Sequence, residues 1–422
     1  MTKKSKCGTI YNEHMNARSY VIELTKEVLA VNKPVYMDNN ATTSLKPEVL
    51  EAMMPYLTEI YGNASSKFYQ TGRVAEAAVT EFRERTAKQL GAKPNEIYFT
   101  ASGCEADNWA IKGIADAYKA KGNHIITSSI EHHAILSACE FLEKHGYDVT
   151  YLPVDSEGRV DPAAVEAAIT DKTVLISIMM ANNEIGTVEP IKEIAEIAKK
   201  HGVLMHTDAV QAVGHLRVNA QELGVDLLSI SAHKFHGPKG MGVLYIRNGV
   251  RISNLIHGGG QERGKRAATE NVAGMAGLCT ALEIANASLD ENSAKMKKLR
   301  DKLIEGIEKS IPYCRLNGPR DEGRLCNNVN FSFKYIEGES ILMLLDMKGV
   351  AASSGSACAS GSLDPSHVLL AIGLPHEIAH GSLRLSVGTD TTEEEVDYIL
   401  EVLPPIVERL RMMSPLYEGV EK

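Results

Sequence analysis

The residues best suited to chemistry follow stretches that are typical of buried strands. Asp208 comes at the end of an apolar run at 203–207, and Lys234 follows another run at 227–231 and opens a glycine-rich turn. Ligands of open parallel sheets bind beyond the carboxyl ends of the strands, so both side chains are candidates for a site. An amine in a partly desolvated site loses its proton and becomes nucleophilic, as a Schiff-base lysine must. Taken singly, the aspartate is more often a helix N-cap, and the lysine also fits an ordinary loop.

Two further strand ends carry residues that could take part in the same site. Gly103 and Cys104 lie where the strand at 97–100 enters a helix, and free backbone N–H groups at a helix start bind phosphate. His132 follows the strand at 124–128 and stands beside His133. No HExxH pattern or third ligand accompanies the histidine pair, so we expect no metal site.

Together these four strand ends match what pyridoxal 5'-phosphate requires of a protein. Lys234 would hold the cofactor, Asp208 would keep its ring nitrogen protonated, His132 would cover the ring, and the helix start at Gly103 would bind the phosphate. Each motif alone is weak evidence, but the four in this order predict an enzyme that uses this cofactor.

Cys358 lies in the stretch SSGSACASGS at 353–362, among serines, glycines and alanines. A free cysteine usually serves as a small apolar core residue, but this stretch offers no apolar neighbours. We therefore interpret Cys358 as a reactive thiol on a loop that moves, and we expect high mobility at 353–362. By contrast, Cys139 and Cys279 fall within helical patterns and are expected in the core, whereas Cys314 and Cys326 are unassigned.

The elements that must position these residues alternate between strand and helix patterns, which predicts α/β architecture with a mostly parallel sheet. The predicted strands are 97–100, 124–128, 149–153, 174–179, 203–207, 227–231 and 242–246. The predicted helices include 73–90, 191–201, 268–289, 292–310 and 392–412. The regular alternation of predicted strands and helices ends near residue 290, where a charged helix begins. We therefore predict a large domain at 45–290 and a small domain formed by 1–44 and 291–422.

Composition excludes several other classes of protein. The 422 residues carry a formal net charge of −9 with scattered basic residues, which disfavours direct binding of nucleic acid. No apolar run approaches the ~18–20 residues of a membrane span, so we expect no membrane association. Seven cysteines, an odd number without CxxC or zinc-like spacing, together with an N-terminus that lacks a signal-peptide pattern, lead us to expect a cytoplasmic protein.

Beyond the single residues, a set of motifs resembles the cysteine desulfurases of the NifS/IscS type. These are class V aminotransferase-family enzymes with the fold-type I architecture of pyridoxal-phosphate enzymes. The motifs are DNNATT at 38–43, GNASS at 62–66, EH at 131–132, NNEIG at 182–186, HTDAVQ at 206–211, SAHK at 231–234, GGGQER at 258–263, SGSAC at 354–358 and LR at 383–384. The resemblance runs from about residue 34 to the end of the chain and implies a seven-stranded, mostly parallel sheet with a smaller α+β domain.

The resemblance also implies roles for individual residues. The cofactor would be bound by Lys234, Asp208, His132, Asn183, Gln211, Gly103, Cys104, Ser231, His233 and Thr269. Arg384 matches the residue that clamps the substrate carboxylate through two parallel hydrogen bonds, and Asn183 and Asn39 match the substrate pocket, the latter more weakly. Thr269 matches a threonine that reaches the phosphate of the neighbouring subunit, so a homodimer is implied.

The implied reaction removes sulfur from L-cysteine and gives L-alanine. The thiolate of Cys358 would take the sulfur as a persulfide for an acceptor such as an iron–sulfur cluster scaffold or a tRNA-thiolation protein. Lys234 would move the Cα proton, and His132 is the candidate for proton transfer near the sulfur.

Selenocysteine lyase, or another class V enzyme, remains open as an alternative, as does, more remotely, a non-catalytic scaffold that binds sulfur acceptors. Two departures from the family pattern stand out. Cys104 replaces the usual threonine or serine and offers the phosphate a weaker donor, and residues 1–33 extend beyond the usual start.

Overall fold

The computed structural model describes residues 34–354 and 365–417. The predictions for Cys358, for most of the loop at 353–362 and for residues 1–33 therefore lie outside the described residues. The strands of the described chain are β1 Val35–Tyr36, β2 Ile97–Thr100, β3 His124–Ser128, β4 Asp148–Leu152, β5 Thr173–Ser177, β6 Leu204–Asp208, β7 Leu227–Ser231, β8 Gly242–Ile246, β9 Cys314–Leu316, β10 Asn328–Phe333, β11 Val350–Ala351 and β12 Ser382–Ser386.

Helices separate most of these strands. They are α1 Pro47–Thr58, α2 Gln70–Gln89, α3 Gly103–Tyr118, α4 His133–Glu143, α5 Pro162–Ala168, α6 Ile191–His201, α7 Val272–Ala287, α8 Leu289–Ser310, α9 Gly338–Asp346, α10 His367–Ala371 and α11 Glu393–Met412. Shorter helical turns occur at Pro94–Glu96, Ala220–Leu223, Ala232–Lys234, Gln261–Gly264 and His376–Ala379.

The central sheet has seven strands in the order β2-β8-β7-β6-β5-β3-β4. Strand β8 runs antiparallel to both of its neighbours, and the other pairings are parallel. The predicted fold class, a mostly parallel seven-stranded sheet in a fold-type I enzyme, is confirmed.

Both faces of this sheet are buried, which explains why its strands are nearly continuous apolar runs. Successive residues point to opposite faces, so Ile125 packs with α3 and α4, whereas Ile126 packs with α2, α6 and α7. The result is a sheet between two layers of helices, with its strand ends left open at one edge.

A second core forms from the C-terminal part of the chain. The antiparallel sheet β12-β10-β9 packs with residues of α8, α9 and α11. Strand β1 pairs in parallel with β11, and Met37 is buried in this second core. Two separate cores support the predicted division of the chain into a large and a small domain, which stays a proposal.

The helix boundaries differ from prediction by a few residues for local reasons. The helix expected from 268 begins at Val272, because Ala268 has φ 110° and the Asn271 side chain caps the backbone N–H of Gly274. It ends at Ala287, and α8 starts two residues later at an angle of 71° to it. In the part of the chain that the structure describes, no single helix is long and apolar enough to cross a membrane, and this bent pair meets the test only by length and composition.

Candidate active site

A cavity of about 250 Å³ lies at the carboxyl ends of β3, β5, β6 and β7. Residues 40–41 and Arg384, from the region around β1 and from β12, form another part of its wall. Ten of the residues predicted for the site line this one cavity: Gly103, Cys104, His132, Asn183, Asp208, Gln211, Ser231, His233, Lys234 and Arg384. Their positions along the sequence are far apart, so the fold is what brings them together.

Lys234 ends the helical turn that directly follows β7. Its Nζ donates hydrogen bonds to the backbone carbonyls of Asn40 at 2.6 Å and Ala41 at 2.8 Å. Thr43 ties the same segment to the lysine turn, because its hydroxyl donates to the carbonyl of His233 at 2.9 Å and accepts from the backbone N–H of His236 at 2.8 Å. The lysine is therefore held between the large domain and the segment after β1.

Asp208 is the last residue of β6 and is buried. Burial raises the pKa of its carboxyl to about 6, although the backbone N–H of Val210 and the charge of Lys234 both act to lower it. The Val210 N–H donates to Oδ1 at 2.8 Å, but residues 209–214 form turns and no helix, so Asp208 is not the helix N-cap that is usual for a lone aspartate. At neutral pH the carboxyl is still mostly ionised, so a buried anion faces the cavity.

His132 precedes α4 as its N-cap residue. Its Nδ1 accepts a hydrogen bond from the backbone N–H of Ala134 at 3.1 Å, which places the proton of the neutral ring on Nε2. Burial lowers the pKa of the ring to about 4, with smaller contributions from Lys234, His133 and His367. The imidazole is thus a neutral, oriented, flat group at physiological pH.

The start of α3 forms a narrow part of the cavity wall. The Ser102 side chain caps the helix by accepting from the backbone N–H of Glu105 at 3.0 Å. A Cβ atom added to Gly103 would come within 2.7 Å of Val210 Cγ2 and 3.2 Å of Ser231 Cβ, so only glycine fits there. Such a helix start, lined by small residues, suits a phosphate group.

Arg384 lies on β12 and is almost fully buried. Its Nη2 donates to Asp38 Oδ1 at 2.8 Å, and its Nη1 donates to the carbonyl of Asn183 at 3.1 Å. The guanidinium is therefore fixed between the segment after β1 and the segment after β5 and lines the cavity, and its planar fork can bind a carboxylate.

Of the predicted site residues that the structure describes, Asn39 and Thr269 are not part of this cavity lining. The Asn39 amide donates to the carbonyls of Ser386 at 2.8 Å and Tyr36 at 3.3 Å, and it lines a smaller neighbouring cavity, whereas Asn40 lines the main one. Thr269 lines a separate cavity with Phe99, Thr100 and Arg266 among others. Cys358 lies outside the described residues.

Sequence reasoning missed four acidic residues at the site. Asp38 pairs with Arg384, and Asp107, Glu131 and Glu184 are buried residues that line the cavity. Asp107 stands four residues after Gly103 on a helix, a spacing that places both on one face and so could have indicated it. Glu131 directly precedes His132, but adjacency in sequence did not show that its side chain turns inward.

The chain is similar to proteins of one known family. Residues 35–399 match the family model described as aminotransferase class-V. The chain is 61% identical over 93% of its length to a cysteine desulfurase IscS of Clostridium botulinum (strain Hall), of which it covers 99%. It is 59% identical over 93% of its length to a cysteine desulfurase IscS of Methanosarcina thermophila, covering 96% of that protein. A solved NifS-like protein superposes with a TM-score of 0.84 and 42% identity over 89% of this chain and 100% of that one.

Proposed function

Because the chain belongs to the class V aminotransferase family and is a cysteine desulfurase, we propose that it uses pyridoxal 5'-phosphate as cofactor, Cys358 as sulfur acceptor and a second copy of itself as partner. The observation that carries the cofactor and substrate assignments is that Lys234, Asp208 and Arg384 line one cavity. A buried amine, a buried anion and a planar cation in one cavity are the groups that an amino-acid reaction with this cofactor needs.

The residues present fit the cofactor in two further respects. Gly103 leaves room at the start of α3 where any larger side chain would meet Val210, so a phosphate can approach the backbone N–H groups. Gln211 Oε1 is buried in the cavity wall and has no hydrogen-bond partner among the described residues, as expected for an atom that bonds to a bound polar molecule. Lys234, Asp208, His132 and the start of α3 would hold the cofactor's aldehyde carbon, ring nitrogen, ring face and phosphate.

When bound, pyridoxal phosphate withdraws electrons from the Cα of an amino-acid substrate. The ionised Asp208 would hold the ring nitrogen in its protonated form, which favours that withdrawal. The Lys234 amine would take the Cα proton of the substrate, and the neutral His132 ring would cover the cofactor ring without adding charge. Arg384 binds the substrate carboxylate and so fixes which Cα substituent points at the lysine.

Cys358 completes the proposed reaction. Its thiolate attacks the sulfur of L-cysteine, so that an S–S bond forms while the Cβ–S bond breaks, and protonation of the carbon skeleton gives L-alanine. The persulfide then passes to an acceptor protein, for which we propose an iron–sulfur cluster scaffold or a tRNA-thiolation protein. The name IscS of the C. botulinum and M. thermophila relatives supports the first of these, and we further propose that the protein acts in the cytoplasm.

The surface of the large domain supports the proposed homodimer. Leu50, Met54 and Leu57 are exposed on one face of α1, and Tyr61 and Phe68 are exposed in the segment after it. An exposed apolar patch of this kind marks a surface that another protein covers. Thr269, which lines its own cavity away from the main one, would then serve the partner's phosphate site.

The assay that tests the proposal is production of alanine and sulfide from L-cysteine with added cofactor and excess dithiothreitol, whose thiols reduce the persulfide and release its outer sulfur as sulfide. Wild type should form both in equal amounts and show the cofactor's visible absorption, whereas Lys234→Ala should lose product and change the absorption. Cys358→Ala should lose sulfide production while the absorption persists. The matched control Cys314→Ala, at a half-buried cysteine of β9, should behave as wild type. Sulfide release by Cys358→Ala at the wild-type rate would contradict the assigned nucleophile.

A further inference from the structure

Four carboxyl groups are buried in the lining of the cavity, but the proposed reaction uses only one of them. Asp107, Glu131, Glu184 and Asp208 have relative exposures of 1%, 0%, 2% and 5%. Asp208 faces the position assigned to the cofactor ring, Glu184 accepts a hydrogen bond from the Ser366 hydroxyl, and Asp107 and Glu131 have no role so far. A buried carboxylate is costly unless cations or hydrogen-bond donors compensate it, so each of the four requires compensation of its charge.

The position of Asp107 is set by two elements that pack together. It lies one turn after Gly103 on α3, and its Oδ1 is 3.7 Å from Nε2 of His206 on β6. His206 and Asp208 are alternate residues of β6, so both point to the same side of the sheet. Ser229 of β7 is the cross-strand partner of Asp208, and its hydroxyl lies near enough to Asp107 to lower the pKa of that carboxyl. Asp107 Oδ1 has no hydrogen-bond partner among the described residues, whereas Asp208 Oδ1 accepts from the Val210 N–H. Asp107 therefore sits above His206 and beside Asp208.

His206 does not supply the missing positive charge. Its Nδ1 lies 2.8 Å from Ser177 Oγ and its Nε2 lies 3.0 Å from Ser229 Oγ, so both ring nitrogens are engaged by neutral hydroxyls. The ring is fully buried, and this burial lowers its pKa to about 3. The contact with Asp107 is thus between an acid and a neutral imidazole and is no ion pair at neutral pH.

Other groups near Asp107 do not balance a second negative charge either. His206 of β6 contacts Asp107. The other titratable groups of the cavity lining are Cys104, Glu131, His132, His133, Glu184, Asp208, His233, Lys234, His367 and Arg384. Arg384 is paired with Asp38. His132 and His206 are neutral, and the Lys234 charge acts on Asp208. Burial raises the pKa of Asp107 well above its usual range, the negative charge of Asp208 raises it further, and the nearby Ser229 hydroxyl offsets only part of this.

We propose that Asp107 keeps its proton at neutral pH, so that the Asp107–Asp208 pair carries one negative charge, located on Asp208. The neutral acid is then a positioning residue: it fills the space beside Asp208 with a hydroxyl dipole instead of a second charge. A second carboxylate there would compete for the proton and favour the neutral form of Asp208. The inference that this arrangement serves the cofactor's ring nitrogen rests on the proposed function, whereas the protonation of Asp107 does not.

The first test is infrared spectroscopy of the apo-protein at pH 7. A protonated carboxyl group has a C=O stretch that is separate from carboxylate and amide bands. Wild type should show this band, and Asp107→Asn should lose the part that belongs to Asp107. Glu131→Gln serves as the matched control, because burial raises the pKa of Glu131 to about 8 and its removal should delete a different component. An Asp107→Asn spectrum with the full wild-type band would overturn the proposal.

The second test is unfolding of the same apo-proteins as a function of pH. If Asp107 is protonated in the folded protein and ionised in the unfolded chain, folding takes up a proton. Above pH ~4 the folding equilibrium constant of wild type should then fall by up to about tenfold for each pH unit. Asn cannot ionise, so the stability of Asp107→Asn relative to wild type should increase from pH 5 to pH 7. A pH-independent difference would show that Asp107 is ionised in the fold. Failure of Asp107→Asn to fold would also count against the proposal, since the amide reproduces the shape of a neutral acid.

The holoenzyme gives the third readout. Asp107→Asn should bind pyridoxal phosphate with wild-type affinity and show an unchanged absorption spectrum against pH, whereas Asp107→Glu, which forces the acid toward Asp208, should shift that profile. An Asp107→Asn profile that differs from wild type would contradict the positioning role. If neither wild type nor variant bound the cofactor, the proposed function would fail, while the two apo-protein tests would still decide the state of Asp107.

Discussion

At the scale of single residues, burial of the Asp208 carboxylate at the site lowers the stability of the folded protein at neutral pH. Burial holds the pKa of its carboxyl at about 6, above the ordinary value of 3.8. A raised acid pKa means that the unfolded chain gives up the proton first, so the associated stability is present below about pH 4 and is lost as pH rises through 6. The loss at neutral pH is roughly 2–3 kcal/mol.

We therefore expect Asp208→Asn to change two properties in opposite directions. The apo-protein should gain about 2–3 kcal/mol in free energy of unfolding at pH 7, with a smaller gain at pH 5, as measured by urea denaturation. The same variant should bind pyridoxal phosphate at least tenfold more weakly, because the ring nitrogen loses its anionic partner. Asp290→Asn, at an exposed residue of α8, is the matched control and should change neither. An equal gain in the free energy of unfolding at pH 5 and pH 7 would contradict the raised pKa of Asp208.

Cys104 stands at the position where the family resemblance implies a threonine or serine. It is exposed at the start of α3 and lines the cavity, where a hydroxyl would be a stronger hydrogen-bond donor than a thiol. We expect Cys104→Thr to tighten cofactor binding several-fold in equilibrium dialysis, and Cys104→Ala to leave the affinity near wild type or lower it. Weaker binding by the threonine variant than by the alanine variant would show that the position does not face the phosphate.

At the scale of elements, the start of α3 joins helix stability to the predicted phosphate site. Ser102→Ala removes the cap on the Glu105 N–H and should cost about 1 kcal/mol of stability, and it should also weaken cofactor binding by disordering the first turn. Thr392→Ala removes an equivalent cap from α11 in the small domain and provides the control. Calorimetry should give similar destabilisation for both, with lower cofactor affinity for Ser102→Ala alone. If Ser102→Ala and Thr392→Ala bound the cofactor with equal affinity, the start of α3 would not contribute to cofactor binding.

The same scale shows what the sequence could and could not predict. Strands β2, β3, β7 and β8 match their predicted bounds, because their apolar runs end at glycine-rich or polar turns that are visible in sequence. The residues that carry chemistry at those ends were visible for the same reason. The Arg384–Asp38 pair and the inward turn of Glu131 were not visible, since they depend on packing between segments far apart in the chain.

Asn39 shows that the motif does not tell which of two neighbouring residues lines the cavity. Its place in the DNNATT motif suggested the substrate pocket, but the extended segment after β1 directs neighbouring side chains differently, and Asn40 is the one that lines the main cavity. A single-residue shift of this kind cannot be read from a motif, because it depends on how the segment hydrogen-bonds to β12.

At the scale of the whole molecule, the exposed apolar face of α1 should mediate self-association. Leu50, Met54 and Leu57 are spaced to lie together on that face. We expect Met54→Glu combined with Leu57→Glu to convert the protein from dimer to monomer in sedimentation equilibrium. If Thr269 contacts the phosphate bound by the partner subunit, loss of the dimer should also lower the activity. Met343→Glu combined with Met347→Glu, at exposed methionines of the small domain, is the control and should leave the dimer intact. A dimer that survives the α1 substitutions would place the interface elsewhere.

The proposed function depends on transfer of sulfur from L-cysteine to Cys358. The most direct test is mass spectrometry of the peptide that contains Cys358, taken after the holoenzyme has been incubated with L-cysteine and its thiols have been blocked by alkylation. We predict a mass increase of one sulfur atom on Cys358 in wild type and none in Lys234→Ala, with the other cysteines unchanged. Sulfur found on Cys104 in place of Cys358, or alanine formed with no persulfide on the chain, would contradict the account.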